Sequence, residues 1–92
     1  MVKATTFKDG EKKNEVKIPN SSAKEMMETL INQQGFKIIA VATMPKKHSV
    51  TMERLESKKD QEDIETEHEV FEGSPTEMAD IIYLAKIDMQ EN

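Results

Sequence analysis

A chain of 92 residues with 34% charged residues and no cysteine has room for one hydrophobic core. Its composition excludes a disulfide framework, a thiolate metal site and, with only three glycines, the glycine-rich phosphate loops of common nucleotide enzymes. Without a signal-like N-terminus or an apolar run longer than residues 38–42, the sequence predicts one cytoplasmic domain with no membrane segment.

The charge changes sign along the chain at residue 60. Residues 1–59 carry a net charge of +5 and residues 60–92 a net charge of −10, which gives the formal total of −5. Two interpretations are open. The halves fold against each other and neutralise much of the field, or the acidic part stays on one face and attracts a basic partner.

The first predicted element is a β-hairpin over residues 1–18. Asp9-Gly10 lies between two extended segments and is the usual signal for a tight turn in which both central residues have positive φ. Because the arms are mostly polar, we expect a mobile edge hairpin rather than a core element.

A helix is predicted over residues 22–34. Ser22 and Glu25 have the spacing of a capping box, and Gly35 suits the left-handed residue that follows a helix. Apolar residues form one helical stripe. They are Ala23, Met26, Met27, Leu30 and Ile31.

Residues 36–43 read FKIIAVAT and predict a central strand that is buried on both faces. Residues 49–56 alternate between apolar and polar, so the two segments form a second hairpin. The loop between them contains Met44, which is the methionine most expected to be exposed.

Residues 64–72 predict a strand with two different faces. Ile64, Thr66, His68 and Val70 would lie on one side. Glu65, Glu67, Glu69 and Phe71 would lie on the other. This arrangement places three carboxylates in solvent or against a cationic partner. A short acidic helix is the alternative.

The last predicted element is a helix over residues 75–89. Ser74 suits the N-cap position, Pro75 the first helical position and Glu77 the third helical position, which together are the usual signals for a helix start. A short helix followed by a final strand is the alternative. The whole pattern predicts an α+β single domain, a mostly antiparallel sheet with two packed helices in the order β-β-α-β-β-β-α.

Catalytic chemistry has little support in this sequence. His48 and His68 are the only histidines, and neither lies in a nucleophile motif. A metal site that joins them to neighbouring carboxylates is weakly indicated, because glutamates beside His68 on a strand point to the other face. We therefore predict a non-enzyme without metal or cofactor.

The acidic segment, residues 60–72, is the predicted partner-binding site. Its carboxylates are Asp60, Glu62, Asp63, Glu65, Glu67, Glu69 and Glu72. Small acidic chains of this kind are frequent among phage and mobile-element proteins that block host factors, including mimics of nucleic-acid charge. By that analogy the sequence predicts a regulator or inhibitor that binds a basic surface of another protein.

Two other binding modes are open. Nucleic acid could contact the lysine-rich half, although one arginine and few aromatic residues leave little for reading or stacking bases. Those lysines are Lys12, Lys13, Lys17, Lys46, Lys47, Lys58 and Lys59. Two copies could also pair through their oppositely charged halves, which would give a homo-oligomer.

Overall fold

The computed structural model describes residues 1–57 and 64–91. It confirms the α+β architecture and the predicted order of elements, with five antiparallel strands and two helices. The elements are β1 (Val2–Lys8), β2 (Glu11–Ile18), α1 (Asn20–Gln34), β3 (Lys37–Thr43), β4 (His48–Ser57), β5 (Ile64–Gly73) and α2 (Pro75–Glu91). None of the helices in the described ranges is both long and apolar enough to cross a membrane.

The first hairpin forms at the predicted turn. Asp9 has a φ of 50° and Gly10 a φ of 82°, as a tight turn between two strands requires. The Asp9 carboxylate also accepts a 3.0 Å hydrogen bond from the Thr66 amide, which ties the turn to β5. β1 lies inside the sheet and buries Val2 and Ala4, whereas β2 is an exposed edge.

The strand order is β2-β1-β5-β4-β3, with every neighbouring pair antiparallel. The prediction that residues 36–43 form the middle of the sheet is therefore wrong, because β3 is an edge strand. The central position belongs to β5, the acidic strand. The cause is the long-range pairing of β1 with β5, which encloses β5 and leaves β3 with β4 as its single strand neighbour in the described chain.

α1 is confirmed, but it begins two residues before the predicted start. The Pro19 carbonyl accepts a 3.0 Å bond from the Ala23 amide, and no side chain caps the helix. The predicted Ser22–Glu25 capping box is therefore wrong, since Ser22 already lies inside the helix as its third residue. Gly35 ends the helix in the left-handed conformation, as predicted.

α2 begins at the predicted position and continues as one helix, so the helix-plus-strand alternative is wrong. The Ser74 hydroxyl accepts a bond from the Glu77 amide, and the Glu77 carboxylate accepts one from the Ser74 amide, both at 3.3 Å. This reciprocal pair is a capping box. It fixes where the chain leaves β5 and turns over the sheet.

Both helices lie on the same face of the sheet, α2 over β3, β4 and β5, and α1 beside α2 and against β1. The core between the layers is mostly aliphatic and rich in methionine. Its largest fully buried side chains are Phe71, Met27, Met52, Met78, Ile81, Val2 and Val50. The opposite face of the sheet has no helix over it in the described ranges.

Candidate functional site

The structure describes four of the seven predicted partner-binding carboxylates. Glu65, Glu67, Glu69 and Glu72 are on β5, whereas Asp60, Glu62 and Asp63 lie outside the described residues. The predicted alternation is confirmed. Glu65, Glu67 and Glu69 share one face with Phe71, and Glu72 lies on the other.

Two of these carboxylates are buried, so of the two predicted surroundings, solvent or a cationic partner, solvent is wrong for them. Glu67 is 8% exposed and Glu69 is 4% exposed. The face they share with Phe71 is the one that the helices cover, and Phe71 lies opposite Ala4 and Val50 in the core. The strand pattern alone does not reveal which of its two faces is covered.

Glu69 is held by a hydrogen bond from the Thr6 hydroxyl on β1. Its other carboxylate oxygen is buried without a hydrogen-bond partner in the described chain. Burial raises the pKa of Glu69 above its usual value, the Thr6 bond opposes that rise, and the neighbouring charge of Glu67 adds to it. A carboxylate in this position costs stability when it is ionised.

Glu67 is paired with Arg54 of β4. The Arg54 guanidinium lies 2.8 Å from a Glu67 carboxylate oxygen and 2.9 Å from the Gln34 carbonyl at the end of α1. Its central carbon lies 4.8 Å from the centre of the Phe36 ring. One arginine thus neutralises Glu67 and joins the end of α1 to the sheet.

The other two described carboxylates of the segment contact lysines of this chain. Glu72 lies 2.7 Å from the Lys47 ammonium and 3.9 Å from that of Lys3, and Glu65 lies 3.9 Å from the ammonium of Lys8. Three of the four described carboxylates of the acidic segment therefore contact a cation of the basic half, whereas Glu69 has only the neutral Thr6 hydroxyl. For Glu65, Glu67 and Glu72, these contacts agree with the interpretation that the two halves neutralise each other.

The lysines of the alternative nucleic-acid surface do not form one face. Lys12, Lys13 and Lys17 are on the edge strand β2, and Lys46 and Lys47 are in the β3–β4 loop. Lys58 and Lys59 lie outside the described residues. The loop lysines line a surface depression together with Lys3 and Glu72, so a carboxylate lies among them.

The two histidines lie on opposite faces of the sheet. His68 is on the open face, 2.9 Å from the Glu53 carboxylate, whereas His48 is in register with the buried face of β4. They cannot share a metal ion in this arrangement. In the part of the chain that the structure describes, no group of three histidines, cysteines, aspartates or glutamates could hold a metal ion.

A groove between α1 and α2 combines an apolar floor with an acidic rim. It has a volume of about 210 Å³. The floor consists of Met27, Ile31, Leu84 and Ile87, and the rim of Glu28, Asn32, Asp88 and Glu91. No lysine or arginine of the described chain lines the groove.

Sequence reasoning missed this groove because the apolar stripe predicted for residues 22–34 does not reveal which other element packs beside it. Ile31 and Leu84 pack at the margin of the core and remain half-buried. Acidic residues lie near them, Glu28 on α1 and Glu91 on α2. No local sequence pattern shows that these two helices lie side by side.

Comparison with protein-family models, with curated proteins and with solved structures gives no match for this chain.

Proposed function

We propose that this chain is a non-catalytic protein-binding domain, a small cytoplasmic regulator or inhibitor that binds a basic segment of another protein. The groove between α1 and α2 is the observation that carries the proposal. Its apolar floor and acidic rim match an amphipathic helix that has aliphatic residues on one side and lysine or arginine on the other. The proposed partner is still a basic protein surface, as predicted from the acidic half of the sequence, but the proposed binding surface is the groove between the helices.

The size of the groove supports a protein partner over a small-molecule ligand. About 210 Å³ accommodates one or two aliphatic side chains and lies below the range of about 300–1,000 Å³ typical of small-molecule pockets. A partner side chain that enters it would contact Ile31 and Leu84. The surrounding carboxylates would attract the partner's cations and fix its orientation.

Charge accessibility also supports the helical groove over the β5 carboxylates. Glu28 and Glu91 are exposed, whereas Glu67 and Glu69 are buried and Glu72 is paired with Lys47. Within residues 1–57 and 64–91, Glu28 forms no ion pair that a cation of the partner would have to displace. At Glu72 it would compete with a lysine of this chain.

The test uses a synthetic helical peptide of leucine and lysine, with leucines at the i, i+3 and i+4 spacing, titrated into the ¹⁵N-labelled chain. We expect amide shifts at Ile31, Leu84 and their neighbours on α1 and α2. Glu28→Gln combined with Glu91→Gln should weaken binding about fivefold to tenfold at low salt, as expected for two rim charges of up to about 1 kcal/mol each. A peptide of the same composition in scrambled order should bind more weakly.

The matched control is Glu11→Gln combined with Glu15→Gln, which changes the net charge equally on the distant hairpin. Equal weakening by both pairs would mean that only total charge matters and would overturn the groove assignment. Stronger weakening by Glu65→Gln with Glu72→Gln would assign the contact to β5 instead. If a DNA duplex of random sequence binds and shifts the β2 amides while the peptide does not bind, the domain is a nucleic-acid binder.

A further inference from the structure

A lysine cluster lies at one end of the open face of the sheet, the end at which β5 leads into α2. Lys3 of β1 and Lys17 of β2 lie directly opposite each other in the antiparallel ladder. Lys46 and Lys47 of the β3–β4 turn line a depression of about 330 Å³ together with Lys3 and Glu72. Lys3 thus joins two groups of lysines that are far apart in the sequence, one on β2 and one in the turn.

The lysine cluster carries more positive charge than its one carboxylate neutralises. That carboxylate is Glu72, which lies 2.7 Å from the Lys47 ammonium and 3.9 Å from that of Lys3. Within residues 1–57 and 64–91, Lys17 and Lys46 form no ion pair. Four lysines and one carboxylate leave a surplus of three positive charges, in a chain whose formal net charge is −5.

The placement of Lys3 opposite Lys17 lowers the stability of the free domain. Like charges that face each other directly across an antiparallel ladder repel. Glu15 relieves part of this repulsion, since its charge attracts both lysines, but the ammonium that it contacts is that of Lys12, 3.1 Å away. Counting the Glu15–Lys12 pair leaves the surplus charge unchanged. An anion bound across the cluster would relieve the repulsion that remains.

We propose that the lysine cluster binds the phosphate backbone of single-stranded nucleic acid. From Lys17 on β2 across β1 and β5 to the turn before β4, the cluster crosses three strand spacings. It is therefore about 14 Å long and contacts more than one phosphate. A single strand is favoured over a duplex, because the acidic remainder of the chain is repelled more strongly by the denser charge of a duplex.

The sheet face beside the cluster offers little for reading bases. Thr5 and Val70 lie next to the lysines, and Phe7 and His68 occupy the following positions on the same face. Phe7 is half-buried, and His68 contacts the Glu53 carboxylate. We therefore expect binding that depends on salt and not on base sequence. The site is independent of the proposed function, since none of the four lysines lines the α1–α2 groove.

The experiment titrates the full chain into a fluorescent thymidine strand of about 12 nucleotides and measures anisotropy at several salt concentrations. We expect the logarithm of the binding constant to fall with the logarithm of the salt concentration at a slope of about −2, as about three phosphate contacts require. Lys17→Gln combined with Lys46→Gln should weaken binding at least about tenfold at low salt and change the slope to about −0.7. Glu72→Gln should strengthen binding about threefold, because it removes the carboxylate from the cluster.

The matched control is Lys24→Gln combined with Lys86→Gln, which removes the same charge from the helices. Because Lys17 and Lys46 are exposed, their double variant should keep the circular dichroism spectrum of the unmodified chain. The proposal is overturned if the unmodified chain does not bind the strand at low salt, if both lysine pairs weaken binding equally, or if Glu72→Gln weakens it. Tighter binding of a duplex of the same length, or a strong preference among base sequences, would also overturn it. The peptide titration reports on different residues, so the two proposals can fail separately.

Discussion

Glu69 is a single residue whose ionised side chain lowers the stability of the fold. It lies in the central strand beside Met52 and Thr6, on the face that the helices cover. One carboxylate oxygen of Glu69 accepts a hydrogen bond from the Thr6 hydroxyl. The other oxygen is buried without a hydrogen-bond partner in the described chain. A hydrogen-bonded neutral side chain would fit this position better than an ion.

We predict that Glu69→Gln stabilises the domain at pH 7 by about 1 kcal/mol, the lower part of the cost of a buried acceptor without a partner. The raised pKa of Glu69 means that the folded chain binds this proton more tightly than the unfolded chain. The stability of the unmodified chain should therefore fall relative to the variant as pH rises from about 4 to about 7. Urea unfolding at several pH values measures the difference.

Glu15→Gln is the control for this pH dependence. A hydrogen bond from Lys12 and the charge of Lys12 lower the pKa of the exposed Glu15 carboxyl. The small contribution of Glu15 to stability therefore increases as pH rises, which is opposite to that of Glu69. A pH trend in Glu69→Gln that matches the one in Glu15→Gln would contradict the assigned role of Glu69.

The helix ends show which local signals determine an element. The end of α1 depends on Gly35, whose φ of 76° lets the Phe36 amide donate a 3.0 Å bond to the Leu30 carbonyl. Its start depends on the Pro19 carbonyl and on no side chain. The end of α1 is therefore the more sensitive to substitution.

We predict that Gly35→Ala lowers the free energy of unfolding by about 1 kcal/mol. A Cβ at this position would meet no atom within 4 Å, so the cost comes from the backbone conformation alone. Gly35→Asn should cost less, because asparagine tolerates the left-handed region. Thermal unfolding of both variants tests this, and equal melting temperatures for Gly35→Ala and the unmodified chain would contradict it.

At the scale of the whole molecule, Arg54 joins elements that are distant in sequence. It connects β4 to the end of α1 through Gln34, to the start of the β3 hairpin through Phe36, and to β5 through Glu67. The same contact neutralises a buried carboxylate of the acidic half with a cation of the basic half. The charge division of the sequence is thus part of what holds the domain together.

We predict that Arg54→Met lowers the free energy of unfolding by about 2–3 kcal/mol, because it leaves the Glu67 carboxylate buried without its cation. Adding Glu67→Gln should recover at least about 1 kcal/mol of that loss. A double-mutant cycle by urea unfolding measures the coupling. Additive effects of the two substitutions would show that the pair contributes no coupling energy.

Local sequence signals predicted most of the elements and part of the candidate surfaces. The Asp9-Gly10 turn, the Gly35 helix end and the Ser74–Glu77 capping box each depend on residues a few positions apart, and all three are present. The exposure of Met44 was also predictable, because it follows from a position in a short loop. The helical groove was not, since its floor and rim come from two helices.

The positions of the strands and helices, and the side chains that share a face, follow from the sequence alone, because hydrogen bonding and side-chain periodicity within an element are local. The central position of the acidic strand, with Glu67 and Glu69 buried, and the edge position of the apolar strand β3 depend on tertiary contacts. The reason is the pairing of β1 with β5, a contact between segments about sixty residues apart whose register no local pattern specifies.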